Sequence, residues 1–187
     1  MYAIRLSAIV FALLSTGLIA GTFYAYAISV MPALARTDAR TLIEVMQKIN
    51  VVIINPWFMF GFLGTVGFSA LAAVVSLGRE HRATLIWLAI ALALNVIAFA
   101  VTTALNVPLN DALMAAGDPA LIADLAAVRA DFEASWVRWN IVRAVLHTAA
   151  FLVLCGALFA AGVQQGRSGS AEAAPVLSQT QSLVTGR

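Results

Sequence analysis

Charged residues are scarce in this chain. Only 11% of its 187 residues are Asp, Glu, Lys or Arg, and the formal net charge is +2. Ordinary soluble domains carry about 25% charged residues, so this composition argues against a soluble domain. The chain also lacks a Lys/Arg cluster and a basic patch interleaved with aromatic residues. We therefore expect no nucleic-acid partner.

Side chains that hold metals or act as nucleophiles are few as well. The single Cys155 can form no intrachain disulfide, and we interpret it as a small packing residue. Of the two histidines, His81 lies in a polar turn and His147 in an apolar run, at opposite ends of the predicted fold. No carboxylate lies inside an apolar run. Both facts argue against bis-histidine haem ligation and a carboxylate-bridged metal centre. The sequence has no glycine-rich phosphate loop and no nucleophile elbow around a serine.

Apolar residues, in contrast, are abundant. They make up 62% of the chain, and the mean hydropathy is +0.93. Each of four apolar runs reaches the roughly 20 residues that cross a bilayer as a helix, and lipid forces helix because it offers the backbone no partners. The sequence predicts an all-α integral membrane four-helix bundle in residues 1–163, followed by a disordered tail at 164–187. The predicted spans are residues 4–31, 57–77, 84–105 and 141–163.

The first span is predicted to be a retained helix and not a signal peptide, because its apolar run is too long for a signal-peptide core of about 7–15 residues. Pro32 is predicted to end it. The long connection that follows is predicted to hold an amphipathic helix that begins with a capping box of Thr41 and Glu44. Glu44 and Lys48 have the spacing of an ion pair on one helix face.

The other long connection lies on the same face of the bundle, because the second and third spans are joined by the short turn GREHR. Pro108 is predicted to end the third helix. Asp118 and Pro119 are predicted to begin a helix that continues into the fourth span. We expect a multi-pass protein of the bacterial inner membrane, and the density of Lys and Arg near the spans favours an orientation with both termini and the GREHR turn in the cytoplasm.

Polar residues collect where the fourth span begins. Trp136, Asn140, Arg143 and His147 are spaced by 4, 3 and 4 residues, so they share one helix face. A charge inside a span is costly unless it faces the bundle interior. We therefore predict a polar pocket with aromatic walls at the end of the bundle that carries the long connections. Other residues expected at this end are Asn106, Asn110, Trp139, Tyr24, Gln47, Asn50 and Trp57.

A simpler interpretation exists for most of these residues. Trp and Tyr anchor helices at membrane interfaces, and Asn joins helices by hydrogen bonds. Arg138 has the position of a residue whose charge reaches back to the lipid headgroups. His147 could be a packing residue with satisfied hydrogen bonds. The sequence leaves these alternatives open.

Five motifs in order resemble the anthrone-oxygenase-like family of small four-helix membrane proteins. They are SVMPAL, MQKIN, NPWF, NVPLND and WVRWNIVR, and the resemblance covers about residues 10–160. Fungal members are associated with the oxidation of anthrones to anthraquinones, whereas most bacterial relatives have no assigned substrate. The resemblance implies a monooxygenase-type reaction of O₂ with a small aromatic, anthrone- or quinol-like substrate taken from the lipid bilayer.

That chemistry needs a base, donors for an oxyanion and an aromatic-lined site, but neither a metal nor a cofactor. Under this hypothesis His147 is the base, and Arg143, Asn140 and Asn106 stabilise the enolate oxygen. The substrate-binding residues are then Trp136, Trp139, Asn110, Tyr24, Gln47, Asn50 and Trp57.

The alternative hypothesis is a non-catalytic membrane module. It would bind a lipid or hydrophobic ligand, or support a partner membrane protein. It predicts that Arg143 and Asn140 pair with loop acids such as Asp111 or Glu133. A homo-oligomer is compatible with both hypotheses.

Overall fold

In the computed structural model, the structure describes the backbone of residues 2–185 and the side chains of residues 2–167, and all regular structure there is helical. The predicted disordered tail falls largely outside the described side chains and stays a prediction. The helices are α1 (Tyr2–Ala25), α2 (Met31–Leu34), α3 (Ala39–Val52), α4 (Pro56–Val74), α5 (Arg82–Val101), α6 (Val107–Ala115) and α7 (Leu125–Thr185).

Within the described residues, four helical segments are long and apolar enough to cross a membrane: Tyr2–Leu34, Pro56–Val74, Arg79–Ala115 and Leu125–Arg167. Helix α1 packs against α4 and α7, and α5 packs against the same two helices. The four form a closed bundle, which confirms the predicted membrane fold. Large apolar side chains such as Leu18 and Phe159 remain exposed on the outer surface, where lipid would cover them.

The prediction that Pro32 and Pro108 end their helices is wrong. Helix α1 continues into α2 through a π-helical segment, Tyr26–Val30, and α5 continues into α6 through another, Thr102–Asn106. Each proline lies two residues beyond its π-helical segment. A proline has no N–H to donate, and the widened turn before it shifts the hydrogen-bond ladder so that the helix can continue.

Helix α3 is the predicted amphipathic helix, and the ion pair between Lys48 and Glu44 is present at 2.6 Å. Its N-cap is Asp38, however, and not Thr41. The Asp38 carboxylate accepts hydrogen bonds from the Thr41 N–H at 3.0 Å and from the Thr41 hydroxyl at 2.6 Å. The hydroxyl contact lowers the pKa of the Asp38 carboxyl below its ordinary value. The buried face of α3 consists of Leu42, Ile43 and Met46.

Helix α7 begins at Leu125, where the Asp124 carboxylate accepts a hydrogen bond from the Ala127 N–H at 2.9 Å. Asp118 instead closes a separate turn, because its carboxylate accepts the Ala120 N–H at 2.8 Å. The predicted start at Asp118 was therefore wrong. The predicted continuity of this helix into the fourth span is confirmed.

Helices α1 and α4 approach closely at Gly64. A Cβ atom built there would lie 2.7 Å from Ser15 Oγ and 3.0 Å from the ring of Phe68. Gly67, on the same helix, has no atom within 4 Å of a Cβ built in the same way. The same substitution at Gly64 and at Gly67 therefore distinguishes the effect of the helix contact from the effect of losing a glycine.

We expect Gly64→Val to lower the free energy of unfolding by about 1–3 kcal/mol, the usual cost of forcing extra volume into a packed contact. Gly67→Val makes the same change in helix propensity, but its Cβ meets no neighbouring atoms. It should therefore have little effect on the free energy of unfolding. Thermal unfolding of both variants in the same detergent micelles measures the difference. Equal melting temperatures would contradict the packing assigned to Gly64.

Candidate functional site

A connected set of buried polar side chains lies on the inward face of α7. Asn140 and His147 are fully buried, and Arg143 is 5% exposed. Asn140 Nδ2 donates a hydrogen bond to the carbonyl of Phe23 on α1 at 3.0 Å. Arg143 Nη2 donates to Asn140 Oδ1 at 3.1 Å. The spacing read from the sequence thus places these three side chains side by side inside the bundle.

Deeper in the bundle, Asn95 joins all four spanning helices. Its Oδ1 lies 3.0 Å from His147 Nδ1. Its Nδ2 lies 3.2 Å from Thr16 Oγ1, 3.1 Å from the Thr65 carbonyl and 3.1 Å from Ser69 Oγ. All five residues are fully buried. We call this set the Asn95 hub.

From the sequence, Asn95 is expected deeper in the third span on the same side as Asn106, but it was not predicted as a site residue, and the other hub residues on α1 and α4 were not predicted either. The available signal was a single amide in the otherwise apolar run ALALNVIAFA, together with the small hydroxyl residues at positions 16, 65 and 69. An isolated amide in a span requires partners on neighbouring helices. The sequence does not reveal which helices supply them.

Aromatic rings surround the cationic end of the cluster. The guanidinium carbon of Arg143 lies 4.1 Å from the ring centroid of Phe23 and 5.5 Å from that of Trp136. The His147 ring lies 5.6 Å from the Phe23 ring, centroid to centroid. A guanidinium over a desolvated ring face gains about 2 kcal/mol of cation–π attraction. Phe23 thus contacts both ionisable side chains of the cluster.

Arg143 forms no ion pair with an acid among the residues whose side chains are described. Glu133 pairs with Arg129 at 2.6 Å, and Asp111 is exposed. The pairing of Arg143 with these loop acids, which a non-catalytic module would favour, is therefore not found. The Arg143 guanidinium instead contacts the Asn140 side chain and the rings of Phe23 and Trp136.

Three atoms of this region are buried without a hydrogen-bond partner: His147 Nε2, Arg143 Nε and Asn106 Oδ1. An unsatisfied buried polar group costs about 1–3 kcal/mol, so three in one region of a fold require an explanation. Together they provide an imidazole nitrogen, a cationic N–H donor and an amide oxygen. Each is a donor or acceptor that a bound polar molecule could satisfy.

Three of the predicted site residues connect α6 and the π-helical segment before it to α7. The Trp136 side chain is buried, and its Nε1 donates to Asn110 Oδ1 at 2.8 Å. Asn106 Nδ2 donates to the Trp136 carbonyl at 3.3 Å. Trp139 is half-buried, with the guanidinium of Arg138 at 5.0 Å from its ring. Trp136 thus contributes to the wall of the cluster, while Trp139 borders it.

The remaining predicted residues lie outside the cluster. Gln47 Nε2 donates to the carbonyls of Leu113 and Gly117, both at 2.9 Å, and so fastens α3 to α6. Asn50 is half-buried on α3, and its Nδ2 has no partner. The side chains of Tyr24 and Trp57 are exposed on the outside of the bundle, as is usual for aromatic residues at a membrane interface. The structure does not bring these last two residues to the cluster.

A family model described as anthrone oxygenase matches residues 55–153 of the chain. The match covers more than half of the sequence, from the N-terminus of α4 into the middle of α7. The chain belongs to the anthrone oxygenase family. No curated protein and no solved structure matches it.

The region matched to the anthrone oxygenase family contains most of the buried cluster. Asn95, Asn106, Asn140, Arg143 and His147 all lie within it, whereas the residues of α1 that complete the cluster lie before it. No group of three or more His, Cys, Asp or Glu side chains in the described part of the chain is arranged to hold a metal ion.

Proposed function

We propose that this protein is a membrane-embedded oxygenase that oxidises the activated methylene of a small aromatic ketone of the anthrone type, with O₂ as oxidant. The observation that carries the proposal is His147 Nε2. It is a buried imidazole nitrogen without a partner, one helical turn from a buried guanidinium. Membership of the anthrone oxygenase family supports the same substrate class.

The proposed reaction converts a methylene and O₂ into a carbonyl and water. A base removes one methylene proton, and the resulting carbanion is delocalised onto the ketone oxygen as an enolate. The enolate gives electrons to O₂, and a C–O bond forms to the peroxide. The returned proton makes a hydroperoxide. Loss of the second methylene proton then breaks the O–O bond, and hydroxide and proton leave as water.

The buried residues suit these steps. His147 Nε2 would accept the methylene proton and return it to the peroxide, because histidine is the side chain most often used to move protons near neutral pH. The N–H of Arg143 Nε would donate to the enolate oxygen, where charge develops in a site shielded from water. Asn140 would keep Arg143 in place through its hydrogen bond, and Phe23 and Trp136 would form part of the apolar wall around it.

We further propose that both termini and the turn between α4 and α5 lie in the cytoplasm, in a bacterial inner membrane. Arg79 and Arg82 in this turn and Arg5 near the N-terminus support this orientation. The buried cluster would then lie nearer the outer face. An apolar aromatic substrate would reach it from the bilayer.

Oxygen uptake by the purified, chelator-treated protein tests the proposed function. With anthrone, we expect uptake well above the protein-free rate, one O₂ consumed per anthrone, and one ¹⁸O atom from ¹⁸O₂ in the anthraquinone formed. With 10,10-dimethylanthrone, which has no proton to lose at the reacting carbon, uptake should not exceed its blank. Uptake equal to the blank with both compounds would contradict the assignment to this substrate.

A further inference from the structure

The side-chain amide of Asn95 can adopt only one orientation. Its Nδ2 lies 3.1 Å from the carbonyl oxygen of Thr65, which can only accept a hydrogen bond. A flipped amide would set two oxygen atoms against each other at that distance. The hydroxyls of Thr16 and Ser69 are compatible with this orientation, because each can accept from Nδ2. Oδ1 must therefore face His147.

This orientation determines where His147 carries its proton. Asn95 Oδ1 is an acceptor, so the ring nitrogen 3.0 Å away, Nδ1, must be the N–H that donates to it. In a neutral imidazole the other nitrogen then holds the lone pair. That nitrogen is Nε2, the buried atom without a partner. Free imidazole side chains favour the opposite tautomer, with the proton on Nε2, so the protein must impose this one.

We propose that Asn95 is a positioning residue that selects the Nδ1–H tautomer of His147 and thereby makes Nε2 the basic atom. The catalytic consequence of this inference rests on the proposed function. The tautomer of His147 does not depend on that function. Asn95 acts through His147 and does not touch the substrate. Residues of α1 and α4 hold the Asn95 amide of α5 in one orientation, and the amide in turn orients His147 on α7.

A residue that merely joined helices would not control the histidine tautomer, so the tautomer is the decisive measurement. The chain has only two histidines, and His81→Gln leaves His147 as the single one. In ¹⁵N-histidine-labelled protein of this background, we expect a protonated, pyrrole-type Nδ1 and an unprotonated, pyridine-type Nε2 at a pH where the ring is neutral. A protonated Nε2 with an unprotonated Nδ1 would overturn the proposal.

Substitutions at Asn95 extend the measurement. Asn95→Leu removes the acceptor, and we expect the Nε2–H tautomer to become populated. Asn95→Asp, as the protonated acid expected in this buried position, can donate its O–H to the Thr65 carbonyl and keep its other oxygen facing Nδ1, so it should keep the original tautomer. Ser69→Ala is the matched control, because it removes one partner of Nδ2 and leaves the Thr65 carbonyl in place. An unchanged tautomer in Asn95→Leu would overturn the proposal, and if that variant fails to fold, Asn95→Asp and the parent protein still decide.

The activity measurement separates this inference from the proposed function. Partners that orient a histidine typically contribute about 10- to 100-fold, so Asn95→Leu should lower kcat for anthrone by that factor with little change in KM. Asn95→Asp should restore most of the rate. Absence of turnover in the parent protein would refute the proposed function while leaving the NMR result for Asn95 intact. Full turnover in a folded Asn95→Leu variant would refute the positioning role.

Discussion

Replacement of His147 by Gln should reduce anthrone oxidation to the protein-free rate, a loss of about 10²- to 10⁴-fold, which is the usual contribution of a general base. Glutamine has a similar reach, and its N–H groups can still donate to Asn95 Oδ1. The buried network should therefore persist. The glutamine amide cannot take up a proton at neutral pH, so the proton transfer is lost. Oxygen uptake by the purified variant measures the effect.

The other histidine provides the matched control. His81 lies in the short turn Arg79–His81 before α5, where it contacts Arg5 and lies 3.3 Å from Glu80. His81→Gln makes the same chemical change away from the cluster, and we expect it to leave oxygen uptake unchanged. If a folded His147→Gln variant oxidises anthrone as fast as His81→Gln does, then His147 is not the base.

Replacement of Arg143 by Met should lower the rate by about 10²- to 10³-fold, because the donor aimed at the developing oxyanion is removed. We expect the free energy of unfolding to change by less than about 2 kcal/mol. Removal of a charge from a membrane helix gains about 2.5–3.5 kcal/mol. Against this gain, Asn140 Oδ1 loses its hydrogen-bond partner, which costs about 1–3 kcal/mol. The cation–π contact with Phe23 is also lost, which costs about 2 kcal/mol.

This stability measurement distinguishes the oxygenase from a non-catalytic module. In the module, Arg143 would only help to hold the helices together through its contacts with Asn140 and Phe23, so its loss should show in stability and not in turnover. Arg138→Met is the control, because the guanidinium of Arg138 is exposed beside Trp139. Large destabilisation by Arg143→Met, with activity lost only in proportion to unfolded protein, would favour the module.

The membrane fold follows from the sequence because hydropathy and span length are local properties. The inward face of α7 follows too, since Asn140, Arg143 and His147 repeat with the helical period. The continuation of two helices past Pro32 and Pro108 could not be predicted from local hydropathy or helical spacing. A proline ends a regular helix, and only a widened turn before it, which leaves no clear mark in the sequence, lets the helix continue.

The composition of the site was less predictable than its location. Tyr24 and Trp57 were expected at the cluster because of their residue type and depth, but residue type does not say which way a side chain points. Asn95 can be recognised in the sequence as a polar residue in an apolar run. Its importance depends on Thr65, His147 and the other members of its network, which belong to different helices and are far apart in sequence. Such contacts appear only once the helices are packed.

The Asn95 hub also has a consequence for biosynthesis. Thr16, Thr65, Ser69 and Asn95 all precede His147 in the chain, so every other member of the hub is synthesised before the histidine. Insertion of the last helix completes the bundle and, if Asn95 has the proposed role, would also set the proton on Nδ1 of His147. The base proposed for the reaction would therefore form only with the final step of assembly.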